Sequence, residues 1–204
     1  MLRHGTHIGA IALTFLIGLG AEASWAATAI PKGFLLTEAR ATAPQSEDDR
    51  NEMWWTVSSR MAQPLEVNPC GAKKYGDGRT AMRTIRLKTS APASSSEQLV
   101  LYKSVNAAKA ALDKLRTDVR RCAKGENGYR YSAKPLRIGD DAVWVKYSKR
   151  TQKNELHGSF AAVARRGKAL IIYTRDGGSY TAGSLTGPAK TMAAKVCKIS
   201  GVCA

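Results

Sequence analysis

Histidine and closely spaced cysteines are what this sequence has least of. Three histidines occur in 204 residues, and His4 and His7 sit at the very start, so His157 is the sole histidine of the main body. Metal sites draw on clustered cysteine and histidine ligands. With no C-x-x-C and one histidine, no metal centre is expected. No G-x-S-x-G turn is present to raise a serine nucleophile. Gly76-Asp77-Gly78 and Gly177-Gly178 are isolated turn glycines; neither opens a helix after a strand as a phosphate loop does, and no cofactor is implied. There is no internal repeat, coiled coil or low-complexity tail.

What is present begins with an address. Arg3 and two histidines precede an apolar run from Ile8 to Gly20, followed by small residues such as Ser24-Trp25-Ala26. That pattern reads as a signal peptide over residues 1–29, and residues 30–204 read as the exported chain. No later segment is apolar for long enough to span a bilayer, so no transmembrane segment is expected after cleavage. Removing residues 1–29 takes away one basic and one acidic residue, Arg3 and Glu22, so the net charge of +16 belongs to the exported part. Such an excess favours an anionic polymer or an anionic lipid surface as partner; the bland alternative is a solubilising surface charge. Four cysteines, Cys70, Cys122, Cys197 and Cys203, favour two disulfides in an exported chain, with three connectivities open.

The strongest stretch runs from Gln98 to Cys122. Leu99–Tyr102 is an extended run, Ser104 is a good helix N-cap, and Val105, Ala108, Leu112, Leu115, Val119 and Cys122 recur as one apolar stripe. Upstream, Thr37 is a candidate cap for a short helix, 44–51 reads as a polar surface loop, and 52–58 reads as a strand. The adjacent Trp54 and Trp55 on that strand point to opposite faces. Arg79–Ser90 is a further strand and 91–97 a small polar connection. After Cys122, strands are expected near 129–136, over 142–147, over 159–165 and over 169–174, and Pro188 opens a last helix. Short turns between sequential strands imply an antiparallel meander, so the fold class is α+β: one domain, a sheet flanked by helices and stapled by disulfides.

Several strings then take on a common look. "GFLLT", "VNPC", "LVLYKSVNAAKAALDKLRTDVRRC", "IGDDAVWV", "AVARRGKALIIY" and a closing pair of cysteines resemble, in that order, the extracellular sensor domains of the PknH-like family of actinobacteria. The resemblance covers roughly Phe34 to Cys203. It implies an antiparallel sheet with helices, a large cleft for a ligand outside the cell, no shared catalytic set, and the pairing Cys70–Cys122 with Cys197–Cys203. In the family's serine/threonine kinases that sensor domain is joined to a kinase domain; this chain departs from them in having no kinase domain and no membrane helix, so it is expected to act as a binding or accessory protein.

On that footing Trp54, Trp55, Trp144 and Tyr147 are the aromatics expected to line a cleft, although a packing role is the commoner fate of such residues. Arg83 and Arg86 head the basic candidates, with Lys73, Lys74, Arg79 and Lys88 nearby; Tyr75 is the only interleaved aromatic, which does not favour nucleic acid. Asp140-Asp141 reads as a turn with cap hydrogen bonds before it reads as a carboxylate pair. The leading expectation is a non-enzymatic, sensor-like domain of the cell envelope whose ligand is anionic or amphipathic. The alternatives are a secreted hydrolase using His157, with Ser104, Ser159 or Ser179 as nucleophile, and a structural envelope protein without a small-molecule site.

Overall fold

Strand-forming runs dominate the chain. The structure is a computed structural model that describes residues 29–71, 78–90, 93–123, 129–150, 156–177 and 183–203. The expected leader, apart from Ala29, and most of the glycine-rich turn after Cys70 lie outside those residues. Among the described residues seven strands form one sheet: β1 (Met53–Ser58), β2 (Arg79–Thr89), β3 (Ser94–Tyr102), β4 (Tyr129–Leu136), β5 (Asp141–Arg150), β6 (Leu156–Arg166) and β7 (Ala169–Asp176). Their order is β1-β2-β3-β7-β6-β5-β4, with every neighbouring pair antiparallel. Two meanders, β1 to β3 and β4 to β7, are thus joined edge to edge by β3 and β7.

Helix α3 (Val105–Arg121) makes this order possible, because it carries the chain from β3 in the middle of the sheet to β4 at the far edge. Ser104 caps it, its Oγ accepting from the Ala107 N–H at 3.1 Å. Ala108, Leu112, Leu115 and Val119 are buried against Val100, Val145, Val163 and Ile172. Val105, the first residue of the expected stripe, is exposed. The opposite face of the sheet is covered by α1 (Glu38–Thr42) and α4 (Gly183–Lys195), whose Leu185, Ala189 and Met192 pack with Leu99, Ala162, Ile171 and Tyr173. A single residue step along each central strand therefore switches cores: Leu99 faces one, Val100 the other.

Two disulfides close the molecule. Cys70 bonds Cys122, immediately past the end of α3, and Cys197 bonds Cys203.

Five expectations change. The loop expected at 44–51 contains helix α2 (Glu47–Glu52), where Ser46 accepts from the Asp49 N–H at 3.1 Å and three acids occupy the positive end of the dipole. Thr37 makes no cap bond to α1, because its hydroxyl donates to Glu97 instead. The polar connection at 91–97 is strand from Ser94 onward. The last helix begins at Gly183, so Pro188 lies inside it; the buried Leu185 anchors the extra turn in the core. The strand expected over 159–165 begins earlier, at Leu156, so that His157 belongs to β6, opposite Lys149.

Candidate functional site

The sequence SSSEQ enters the centre of the sheet as β3 because each of its buried polar groups has a partner. Ser96 and Thr174 share a hydrogen bond of 2.6 Å across to β7. Gln98 donates to Thr84 Oγ1 at 2.9 Å and accepts from the Glu66 N–H at 3.0 Å. Glu97 is in phase with Leu99 and Leu101 and so faces the α4 side, where it is only 3% exposed. Its Oε1 accepts from the Leu36 N–H at 2.8 Å and the Tyr173 hydroxyl at 2.5 Å. Its Oε2 accepts from the Thr37 N–H at 2.8 Å and the Thr37 hydroxyl at 2.6 Å. Four donors fill the acceptor sites of one carboxylate, which is how a charge survives burial. Burial, then the adjacent Glu97 charge, pushes the Tyr173 phenol far above its ordinary range.

Above this polar floor lies a pocket of about 180 Å³. Its apolar walls are Leu36, Trp55 of β1, Ile85 of β2, and Leu185 and Pro188 of α4, with Ser95 and Arg175 also lining it. The Arg40 guanidinium lies over the Trp55 ring, 5.7 Å from its centre. An apolar cavity of about 150 Å³ accommodates benzene, so this pocket takes one ring-sized or short branched apolar group. It offers no poised acid or base: the Glu97 carboxylate is saturated and Tyr173 holds its proton.

Of the six residues expected to bind ligand, only Trp55 lines this pocket. Trp54 is 48% exposed and stands opposite Lys88, on the other face of the sheet. Trp144 shares the pocket's face but is on β5, five strand positions from β1, or about 24 Å by strand spacing. It stacks on Phe160 at 5.6 Å. Tyr147 lies on the α3 face, donating to Asp176 Oδ1 at 2.6 Å and stacking on Tyr131 at 5.5 Å. Burial, then Asp176, pushes its phenol upward as well.

Arg83 pairs with the buried Glu38 and donates to Ser59 Oγ at 3.0 Å. Burial alone would raise the Glu38 carboxyl, but Arg83 and nearby backbone N–H groups outweigh it and hold the group below its ordinary value. Arg86 grips Glu66 on the opposite face, its Nε 2.9 Å from Oε1. Both arginines thus join distant segments of the chain. Asp140 and Asp141 also serve the fold. Asp140 accepts from the Gly167 N–H at 2.7 Å and from Arg165 and Arg166, and Asp141 takes a bidentate pair from Arg116 at 2.6 and 2.7 Å. Lys73 and Lys74 lie outside the described residues.

Glu97, Tyr173 and Leu185 are the site residues that sequence reasoning missed. The available signal was the phase: Glu97 continues the alternation of Leu99 and Leu101, placing a carboxylate on a core face.

An antiparallel seven-stranded sheet clad by helices, with two disulfides and a pocket beside the central strands, is the α+β class to which fold and site point. Among solved structures the chain is similar to the extracellular domain of PknH from Mycobacterium tuberculosis, at 14% identity and a TM-score of 0.48 over 83% of this chain and 95% of that one. It is also similar to an uncharacterized Mycobacterium smegmatis protein, an ortholog of Rv0999, at 14% identity and a TM-score of 0.32 over 72% of this chain and 86% of that one. No protein-family pattern matches the sequence, and no curated protein matches it.

Proposed function

We propose that the chain is an exported, non-enzymatic, sensor-like binding domain, and that its pocket receives the compact apolar end of an amphipathic ligand. The observation that carries this reading is the pocket between Trp55, Ile85 and Leu185 over a carboxylate that its own chain has already saturated. Such a floor holds shape and polarity without offering reactive chemistry. Export is supported by the leader pattern together with two disulfides, which persist in oxidising compartments. Among the described residues no helix is long and apolar enough to cross a membrane.

A ring-sized group alone buries too little surface for tight binding once lost translational freedom is counted. The rest of the ligand therefore lies outside the pocket, where Arg175 at its wall suits an anionic or polar portion. Mass spectrometry of small molecules retained by the native protein tests the reading. A defined amphiphile should accompany the wild-type chain and be lost from Ser95→Leu, whose added side chain fills the pocket. Equal retention by both, or no retained amphiphile, contradicts it.

A further inference from the structure

A second surface lies at the other end of the same sheet face. Helix α4 packs over β6 and β7, and β5 and the edge strand β4 continue beyond it. There Lys134 stands opposite Trp144, Lys146 opposite both Ser132 and Phe160, and Arg130 opposite Ser148. Directly opposed residues share a face, so the three cations form one group. Lys146 is the diagonal neighbour of both Arg130 and Lys134, about 7–8 Å from each, and the outer two are about 13 Å apart along β4.

All three side chains are exposed. Among the described residues none has an acidic partner, whereas Arg83, Arg86, Arg116, Arg165 and Arg166 are all ion-paired. Like charges at these separations repel, and an anion docked among them would relieve that repulsion. We propose that this face, centred on Lys146, docks an extended polyanionic polysaccharide, with anionic groups recurring along it to meet Arg130, Lys146 and Lys134 in turn.

Two other occupants fit the observations less well. A bilayer rewards apolar side chains that protrude beside cations. The exposed Trp54 and Met61 are instead on or just after β1, at the opposite edge of the sheet, where α2 adds Glu47, Asp48 and Asp49. Single-stranded nucleic acid calls for open aromatic faces on which bases stack. Here Phe160 is already stacked with Trp144 and has the Lys146 ammonium 5.9 Å from its ring centre.

The test uses the full exported chain and the triple variant Arg130→Gln, Lys134→Gln, Lys146→Gln, with melting temperature confirming that the exposed substitutions leave the fold intact. Polygalacturonate is the probe, with phosphatidylglycerol vesicles and oligothymidylate as competing arms. Wild type should bind polygalacturonate at low salt and release it as salt shortens the screening length from about 10 Å at 0.1 M to about 3 Å at 1 M. The triple variant should bind about tenfold more weakly, as expected for three exposed charge contacts. Ser95→Leu should bind the polymer like wild type, which separates this surface from the pocket. Unchanged affinity of the triple variant, no polymer binding at low salt, loss of binding in Ser95→Leu, or preference for vesicles or oligothymidylate would overturn the proposal.

Discussion

Replacing Glu97 by glutamine tests the floor of the pocket while keeping its size. The carboxylate accepts from two backbone N–H groups and two hydroxyls at 2.5–2.8 Å. Glutamine retains one acceptor oxygen and turns the other position into a donor. The Thr37 hydroxyl can rotate to accept from that new donor, but the Thr37 N–H then faces another N–H and is left unsatisfied in a buried setting. One orphaned backbone donor, together with the loss of charge assistance at the remaining bonds, costs about 2–4 kcal/mol. For a domain of this length that corresponds to a melting temperature lower by about 5–15 °C. A second readout is specific to the geometry. Burial is the leading reason that the Tyr173 phenol is raised, and the Glu97 charge is the next. In Glu97→Gln, Tyr173 should therefore ionise at a lower pH than in wild type, measured by phenolate absorbance. A melting temperature within about 1 °C of wild type, with an unchanged tyrosine titration, would refute the reasoning.

Removing the Cys70–Cys122 bridge, which spans 52 residues, should cost about 4 kcal/mol by loop entropy and lower the melting temperature by about 8–16 °C in the double alanine variant. Cys197–Cys203, spanning 6 residues, should cost about half as much. The Arg116–Asp141 pair makes a pH prediction. Arg116 holds the Asp141 carboxyl below its ordinary value, so the pair stabilises the fold above the ordinary aspartate range and ceases to do so as pH falls through the folded value. Arg116→Gln should melt about 2–4 °C below wild type at pH 7, given the partial exposure of both groups, and the difference should shrink as pH falls below the ordinary aspartate range in thermal melts at each pH. Gly167 adopts φ +54°, and a Cβ there would lie 2.0 Å from the Val202 carbonyl oxygen. Gly167→Ala should destabilise the chain by at least about 2 kcal/mol in urea unfolding, by displacing Val202 from its bond with the Lys168 N–H.

The apolar elements were legible because their periodicity is unbroken. Residues 169–174 read as a strand and form most of β7, and Ser104 reads as a cap and makes the cap bond. Polar segments were misread for a physical reason: hydropathy signals burial only when buried residues are apolar. Ser96, Glu97 and Gln98 are buried with their polar groups paired to neighbouring strands and to the segments at Leu36, Thr37 and Glu66, and a partner 76 residues away, as Tyr173 is from Glu97, leaves no local trace. Helix α2 has no apolar stripe and rests on its Ser46 cap and charge placement. Alternation did separate Trp54 from Trp55. It could not show that Trp144 lies at the other end of the sheet, because that depends on β3 pairing with β7.

The most direct measurement is fluorine NMR of the exported chain labelled with 5-fluorotryptophan and titrated with a lipid extract of the cell envelope. Trp54, Trp55 and Trp144 report from three separated places, one on the open face near β2, one in the pocket and one on β5. Saturable movement of the Trp55 resonance, with Trp54 and Trp144 unmoved and the response abolished in Ser95→Leu, is the predicted result. Movement of Trp54 or Trp144 without Trp55, or a Trp55 response that survives filling the pocket, would contradict the account.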